Sequence, residues 1–141
     1  MGKHGRTRLE YFAGFFDGEG SITLTWGKPP SLMLQARISN ICKEVLEEYL
    51  QTFGGSLYTC KDRKNRRRIY QWVITGKACT AFLVKIYKYL KVKQQQAVLA
   101  FAWAATKRIS GKRVTPEELE TRKAFKARMS KLNWASMESE E

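Results

Sequence analysis

Tyr11-Phe12-Ala13-Gly14-Phe15-Phe16-Asp17-Gly18-Glu19-Gly20 constrains this chain more than any other segment, because an apolar helical run ends in two carboxylates set between glycines. Residues 11 to 16 are committed to burial, while Asp17 and Glu19 are anions that stay buried only when paired, hydrogen-bonded or on a metal. Gly14 and Gly18 lie four apart, so on a helix they share a face and let another backbone come close. Taken alone, the segment also describes an amphipathic helix that closes in a glycine-rich turn. The rest of the chain weakens that reading.

The 141 residues suit one domain over 1–141, with a basic N-terminal arm at 1–8 and a C-terminal helix and tail at 109–141. There are 26 Lys and Arg against 13 Asp and Glu, a net charge of +13, which marks a polyanion binder with nucleic acid as the leading partner. No 18-residue apolar stretch occurs, so no membrane partner is expected. Met1 to Arg8 are polar and basic with no apolar core of a signal peptide, and an intracellular location is expected. Cys42, Cys60 and Cys79 are odd in number and lack C-x-x-C spacing, which points to reduced thiols rather than disulfides or zinc.

Ser21 to Trp26 alternates with period two as a half-buried strand should, Gly27-Lys28-Pro29-Pro30-Ser31 breaks it, and Leu32 to Ile38 completes a hairpin. Ser39-Asn40 reads as the cap of a helix that runs to Phe53 and stops at Gly54-Gly55. Leu57 to Lys61 and Ile69 to Thr75 form a second hairpin around a polar, basic turn. Helical spacing then covers Lys77 to Leu90 and Gln94 to Arg108. Thr115-Pro116-Glu117-Glu118 starts a last helix that reaches about Asn133, before a frayed acidic tail. The order α-ββ-α-ββ-α-α-α predicts an α+β domain with a four-stranded antiparallel sheet and helices on one face.

Most carboxylates outside the opening motif sit on helix faces or in the tail, which leaves Asp17 and Glu19 as the one close pair at an element boundary. Mg²⁺ prefers one or two such oxygens plus waters and substrate phosphates. His4 is the only histidine and lies in a polar terminal segment, and no phosphate-binding glycine loop exists. Two chains meeting along the Gly14/Gly18 face would bring two copies of Glu19 to one point, the geometry of a symmetric metal-dependent nuclease. Phe12, Ala13, Gly14, Phe15, Asp17 and Gly18 are then the expected interface.

In the first strand Ser21, Thr23 and Thr25 share a polar face, and in the second Met33, Gln35 and Arg37 do so. In the fourth, Tyr70, Trp72 and Ile74 pack inward and leave Ile69, Gln71 and Val73 outward. A two-stranded ribbon fits the DNA major groove, where Gln and Arg side chains read base edges. Lys61, Arg63, Arg66, Arg67 and Arg68 belong to a run with six basic residues in eight, and with Lys28 they are expected on phosphates. Trp72, Tyr87, Trp103 and Trp134 recur at core spacings. Lys93, at a break between helices, is open to two readings: a solvated lysine, or one that stabilises phosphate charge.

Phe12 to Gly20 resembles the LAGLIDADG motif of homing endonucleases, and the element order that follows is similar to that family's fold. Tyr89-Leu90-Lys91-Val92-Lys93-Gln94-Gln95-Gln96-Ala97 resembles the family's lysine-bearing segment. A single motif implies the homodimeric branch. The resemblance implies that Glu19 is the metal-binding carboxylate, that Gly18 offers its carbonyl, that Lys93 is the active-site lysine, and that Asn40 or a neighbour orients water. It further implies a saddle-shaped sheet on double-stranded DNA and cleavage across the minor groove with short 3′ overhangs. Mg²⁺ is the implied cofactor, with Mn²⁺ as a substitute and Ca²⁺ supporting binding without cleavage. An intron-encoded, site-specific nuclease is the leading expectation. Glu19 in place of the commoner aspartate moves the oxygen outward by one methylene, and Phe12 and Phe16 in place of smaller aliphatics require the helix pair to repack. A binding module on the same scaffold (an intron-RNA splicing cofactor or a transcription factor) and a small basic structural protein remain as alternatives.

Overall fold

The computed structural model of the chain describes residues 8–28, 31–61, 68–106 and 114–139. Its elements are α1 (Leu9–Glu19), β1 (Gly20–Trp26), β2 (Leu32–Asn40), α2 (Lys43–Phe53), β3 (Ser56–Lys61), β4 (Arg68–Thr75), α3 (Gly76–Ile86), a 3-10 turn (Tyr87–Tyr89), α4 (Gln94–Ala105) and α5 (Pro116–Ser139). All strand pairs are antiparallel, in the order β1-β2-β4-β3, so the two hairpins join through their second strands. This is the α+β architecture expected from the sequence.

Alternation along each strand decides which side the helices cover. Ile22 and Leu24 of β1, Leu32, Leu34, Ala36 and Ile38 of β2, and Trp72 and Ile74 of β4 are buried on one side. Beneath them lies an aromatic cluster in which Phe12 meets Tyr49 at 4.7 Å, Phe53 meets Phe82 at 4.7 Å and Trp72 meets Phe82 at 5.1 Å, all edge-on or tilted. The polar ends are satisfied: the Trp72 indole donates to the Gly54 carbonyl at 2.7 Å and the Tyr49 hydroxyl donates to the Phe12 carbonyl. Burial pushes the Tyr49 hydroxyl far above its ordinary pKa, so it stays a donor. Cys79 is buried in the same layer and its thiol is pushed up to about 12, whereas Cys42 and Cys60 are exposed; all three are free thiols.

Three helix C-terminal ends differ from the sequence reading. The third helix ends at Ile86, because Tyr87–Tyr89 tightens to a 3-10 turn and Leu90 is extended. The fourth helix ends at Ala105, and residues 107–113 lie outside the described ones. The last helix runs on to Ser139 rather than fraying after Asn133. Its start is as expected: Thr115 Oγ1 accepts from the Glu118 N–H and Glu118 Oε1 from the Thr115 N–H, each at 3.2 Å.

Helix α5 also covers the sheet edge. Lys126 Nζ donates to the Leu24 carbonyl at 3.1 Å and Asn133 Nδ2 to the Ile22 carbonyl at 2.9 Å, which satisfies β1 carbonyls that face away from β2. Met129 is the buried residue of this helix among the described residues. Trp134 lies five positions on, about 140° around the helix, and is 63% exposed, so it is not a core residue as its spacing suggested. Trp72 and Trp103 are buried and Tyr87 half-buried, as expected.

Gly55 has φ +93°, and a Cβ there would lie 2.5 Å from the Val73 carbonyl oxygen. Gly55→Ala is expected to cost about 1–3 kcal/mol in urea unfolding, while Gly27→Ala, whose nearest atom would be 3.9 Å away, should leave the midpoint almost unchanged.

Candidate functional site

The junction between the end of α1 and the start of α4 is the most heavily bonded polar site among the described residues. Asp17 is only 8% exposed, on the inward face of α1 beside Phe12, Ala13 and Phe16. Its Oδ2 accepts from the Lys91 N–H at 2.8 Å and the Val92 N–H at 2.9 Å, and its Oδ1 from the Val92 N–H at 3.0 Å and the Lys93 N–H at 2.9 Å. These amides lead into α4, whose N-cap, Lys93, brings no side-chain cap of its own. The carboxylate therefore meets the positive end of the α4 dipole. In return, Lys93 Nζ donates to the Asp17 carbonyl at 2.6 Å, placing its ammonium against the negative end of α1. Lys93 is 8% exposed, so the solvated reading of this lysine is set aside.

Glu19, the last residue of α1, and Gly18 are both exposed. The chain passes from Glu19 directly into β1, whose Gly20 pairs with Ile38 of β2, so the Glu19 end of α1 adjoins the Asn40 end of β2. Gly20 is fixed by packing, because a Cβ there would overlap the Phe16 ring. Asn40 Oδ1 accepts from the Cys42 N–H at 2.8 Å in an Asx turn that leads into α2. The cap position itself is Cys42, two residues later than the sequence suggested. Among the described residues no three His, Cys, Asp or Glu side chains converge. Glu19 and the Gly18 carbonyl offer the hard oxygen donors that Mg²⁺ takes together with waters. The donors fit.

The outward stripe of α1 is Tyr11, Gly14, Phe15 and Gly18, spaced i, i+3, i+4, i+7. Tyr11 is 49% exposed and stacks on Phe15 with ring centroids 6.1 Å apart. A Cβ at Gly14 or Gly18 would meet nothing within 4 Å. The expected interface set is corrected here: Phe12 and Ala13 are fully buried in the core and Asp17 is engaged with residues 91–93, so their side chains are not on this stripe. The bulk of Phe12 and Phe16 is likewise absorbed inside the subunit, against Tyr49, Phe53 and Phe82, with no demand on a helix partner.

The side of the sheet away from the helices carries rows of residues set by the strand register. Ser21, Arg37, Val73 and Ser56 form one row, Thr23, Gln35 and Thr75 a second, Thr25 and Met33 a third, and Ser39, Gln71 and Tyr58 a fourth. Gln71 Nε2 donates to Ser39 Oγ at 3.3 Å. Ile69, Gln71 and Val73 point outward as expected. Lys28 is exposed in the first hairpin turn, at the end of the sheet opposite to Glu19. Arg68 begins β4 beyond the Asn40–Tyr70 pair, at the Glu19 end. By alternation it falls on the same side of β4 as Tyr70 and Trp72, not on the open side. Arg63, Arg66 and Arg67 lie outside the described residues, as does the side chain of Lys61.

Ser39, Tyr58 and Thr75 on the open side were missed by the sequence reading. Extending the period-two pattern one residue past Ile38 finds Ser39, and pairing β3 with β4 finds Tyr58. The capping partner of Asp17, 74 to 76 residues away, carries no local signal.

Residues 6–87 match the LAGLIDADG-like domain family. Among solved structures, the archaeal intron-encoded homing endonuclease I-Vdi141I, complexed with DNA, is similar with a TM-score of 0.72 and 20% identity over 88% of this chain and 82% of that one. The homing endonuclease I-CvuI, bound to an uncleaved DNA target in the presence of Mg, has a TM-score of 0.70 and 16% identity over 88% and 80%. The meganuclease I-SmaMI, bound to uncleavable DNA, has a TM-score of 0.64 and 18% identity, and this chain spans 47% of its length. At these identities the likeness is one of fold. No curated protein matches the chain.

Asp17→Ala strands the backbone amides of Lys91, Val92 and Lys93, which lead into α4. The expected loss is on the order of 2–4 kcal/mol, read as a lower urea midpoint.

Proposed function

This chain belongs to the LAGLIDADG family, and we propose that it is a homing endonuclease that makes a double-strand break in a long pseudo-palindromic DNA site as a homodimer, by divalent-metal-dependent phosphodiester hydrolysis. The observation that carries the reading is the meeting, at one end of α1, of an exposed Glu19 and the buried, bonded Lys93. A carboxylate open to solvent beside a fixed cation is what hydrolysis of a charged diester calls for.

Two chains joined along Tyr11, Gly14, Phe15 and Gly18 bring two copies of Glu19 to one place. Each glycine costs about 0.5–1 kcal/mol relative to alanine inside a helix, and nothing within the subunit fills the space beside either, so close approach of a partner helix is the use that accounts for them. Glu19 from each chain and the Gly18 carbonyl would hold Mg²⁺ or Mn²⁺, and Ca²⁺ would support binding alone. The bound metal supplies stabilisation of the attacking and leaving oxygens. Lys93 contributes positive charge to the phosphate. Asn40 has its carbonyl oxygen taken up by Cys42, which leaves its amide N–H₂ to hold water.

The open side of the sheet lies on the duplex. Arg37, Gln35 and Gln71 have the donors and acceptors that read base edges, with Thr23, Thr25 and Met33 beside them. Lys28 at one end, and Lys61, Arg68 and the basic turn between them at the other, hold phosphates and fix the position of the protein on DNA. The net charge of +13 strengthens this attraction and makes it salt-dependent.

Selection of cut sequences from a randomised duplex library with Mg²⁺ should return a pseudo-palindromic site of roughly two helical turns. Binding to DNA or to intron RNA with no cutting of any duplex would instead support the binding-module reading. Glu19→Gln should abolish cleavage while specific binding in Ca²⁺ persists; retained cleavage would remove Glu19 from the mechanism. Gly14→Leu should leave the subunit folded, with stability unchanged or raised by up to about 1 kcal/mol, and shift the protein from dimer to monomer in sedimentation. An unaltered dimer would rule out this stripe.

A further inference from the structure

Glu19 and Lys93 lie 74 residues apart in sequence, yet a cleavage centre needs their relative position fixed to a fraction of an ångström. Glu19 is exposed at a helix end, and Lys93 carries a long side chain and follows a 3-10 turn and an extended residue, Leu90. What ties the two together is Asp17.

We propose that Asp17 is a positioning residue for the cleavage centre, acting through Lys93. The inference rests on the endonuclease reading above and deepens it. The Asp17 carboxylate accepts the three consecutive N–H groups of Lys91, Val92 and Lys93 and so fixes the turn from which the Lys93 side chain departs. The Asp17 carbonyl then receives the Lys93 ammonium at 2.6 Å. One residue thus holds both the backbone and the tip of Lys93, and Asp17 is itself rigid, because it sits in α1 between the core residues Phe16 and Phe12 on one side and the Gly18-Glu19 end on the other. Ammonium and carboxylate are registered against the same helix end. Asp17 needs no contact with DNA or metal for this.

A purely structural Asp17 would lower stability alone. A positioning Asp17 makes a further demand: its removal must slow the chemistry only as long as Lys93 is there to be misplaced. The test compares Asp17→Asn, Lys93→Met and the double variant in the full chain with Mg²⁺ and the selected duplex. It reads single-turnover cleavage at saturating protein alongside affinity in Ca²⁺ and thermal unfolding. Lys93→Met is expected to slow cleavage about 100-fold and Asp17→Asn about 10- to 100-fold, with affinity nearly unchanged in each. The double variant should cleave no more slowly than Lys93→Met alone. Multiplied effects would overturn the proposal.

A second readout does not depend on cleavage. The Lys93 ammonium, buried and bonded, should give a ¹H–¹⁵N correlation protected from solvent exchange, identified by its loss in Lys93→Met, and Asp17→Asn should abolish that protection. A signal that persists in Asp17→Asn overturns the positioning role. If Asp17→Asn does not fold, Asp17→Glu, which keeps the charge but displaces the turn by one methylene, is read in both arms to the same criteria. A wild-type protein that cuts no duplex would fail the endonuclease reading, and the ammonium signal would still decide whether Asp17 holds Lys93.

Discussion

The contact between the Asp17 carboxylate and the amides of residues 91–93 is the interaction on which the rest of the molecule's arrangement turns. It closes a chain segment of more than seventy residues, and it does so at two helix ends whose dipoles need opposite charges. The anion on α1 binds the amides that lead into α4, and the cation at the N-cap of α4 caps α1. Each half would be costly alone in a site this buried; together they leave the amides of Lys91, Val92 and Lys93 and the Lys93 ammonium satisfied. The exposed Glu19 and the ammonium of the buried Lys93 are both brought to the C-terminal end of α1 by this exchange.

Helix α1 performs separate tasks on its two sides. Inward, Phe12 and Phe16 enter an aromatic cluster with Tyr49, Phe53 and Phe82, which anchors the helix beneath the sheet. Outward, Tyr11, Gly14, Phe15 and Gly18 form a shallow stripe in which Phe15 is partly packed against the core and the space beside both glycines is open. The helix is thus gripped from within the fold and left open outside. The sheet repeats this division. One side is sealed by helices, the other presents rows of hydroxyls, amides and an arginine, and α5 closes the β1 edge with Lys126 and Asn133.

Much of this was legible from local pattern. Period-two alternation sorted the faces of the first, second and fourth strands, Tyr70, Trp72 and Ile74 from Ile69, Gln71 and Val73 among them, because burial on one side of a pleated strand requires that alternation. The Thr115 and Glu118 capping box was equally readable, being a contact between residues three apart. Errors arose where a residue's fate depends on which side of a helix meets the core. Trp134 has the composition of a core residue but sits around α5 from Met129, and Phe12 and Ala13 belong to an interface-like motif but face inward. A list of apolar residues gives a helix its apolar character, and only its neighbours give it an orientation.

The sequence by itself determined the elements, their order, the scarcity of carboxylates that singles out Asp17 and Glu19, and the charge that asks for a polyanion, since each of these follows from residue type and short-range spacing. Tertiary structure alone decided how the two carboxylates part company. Asp17 turns inward because the amides that open α4 arrive beside it, and Glu19 stays outside because the chain leaves the helix there for β1. Two anions two residues apart are chemically alike on paper; the difference between a buried, bonded carboxylate and an exposed one was set by what the fold brought within 3 Å of one of them.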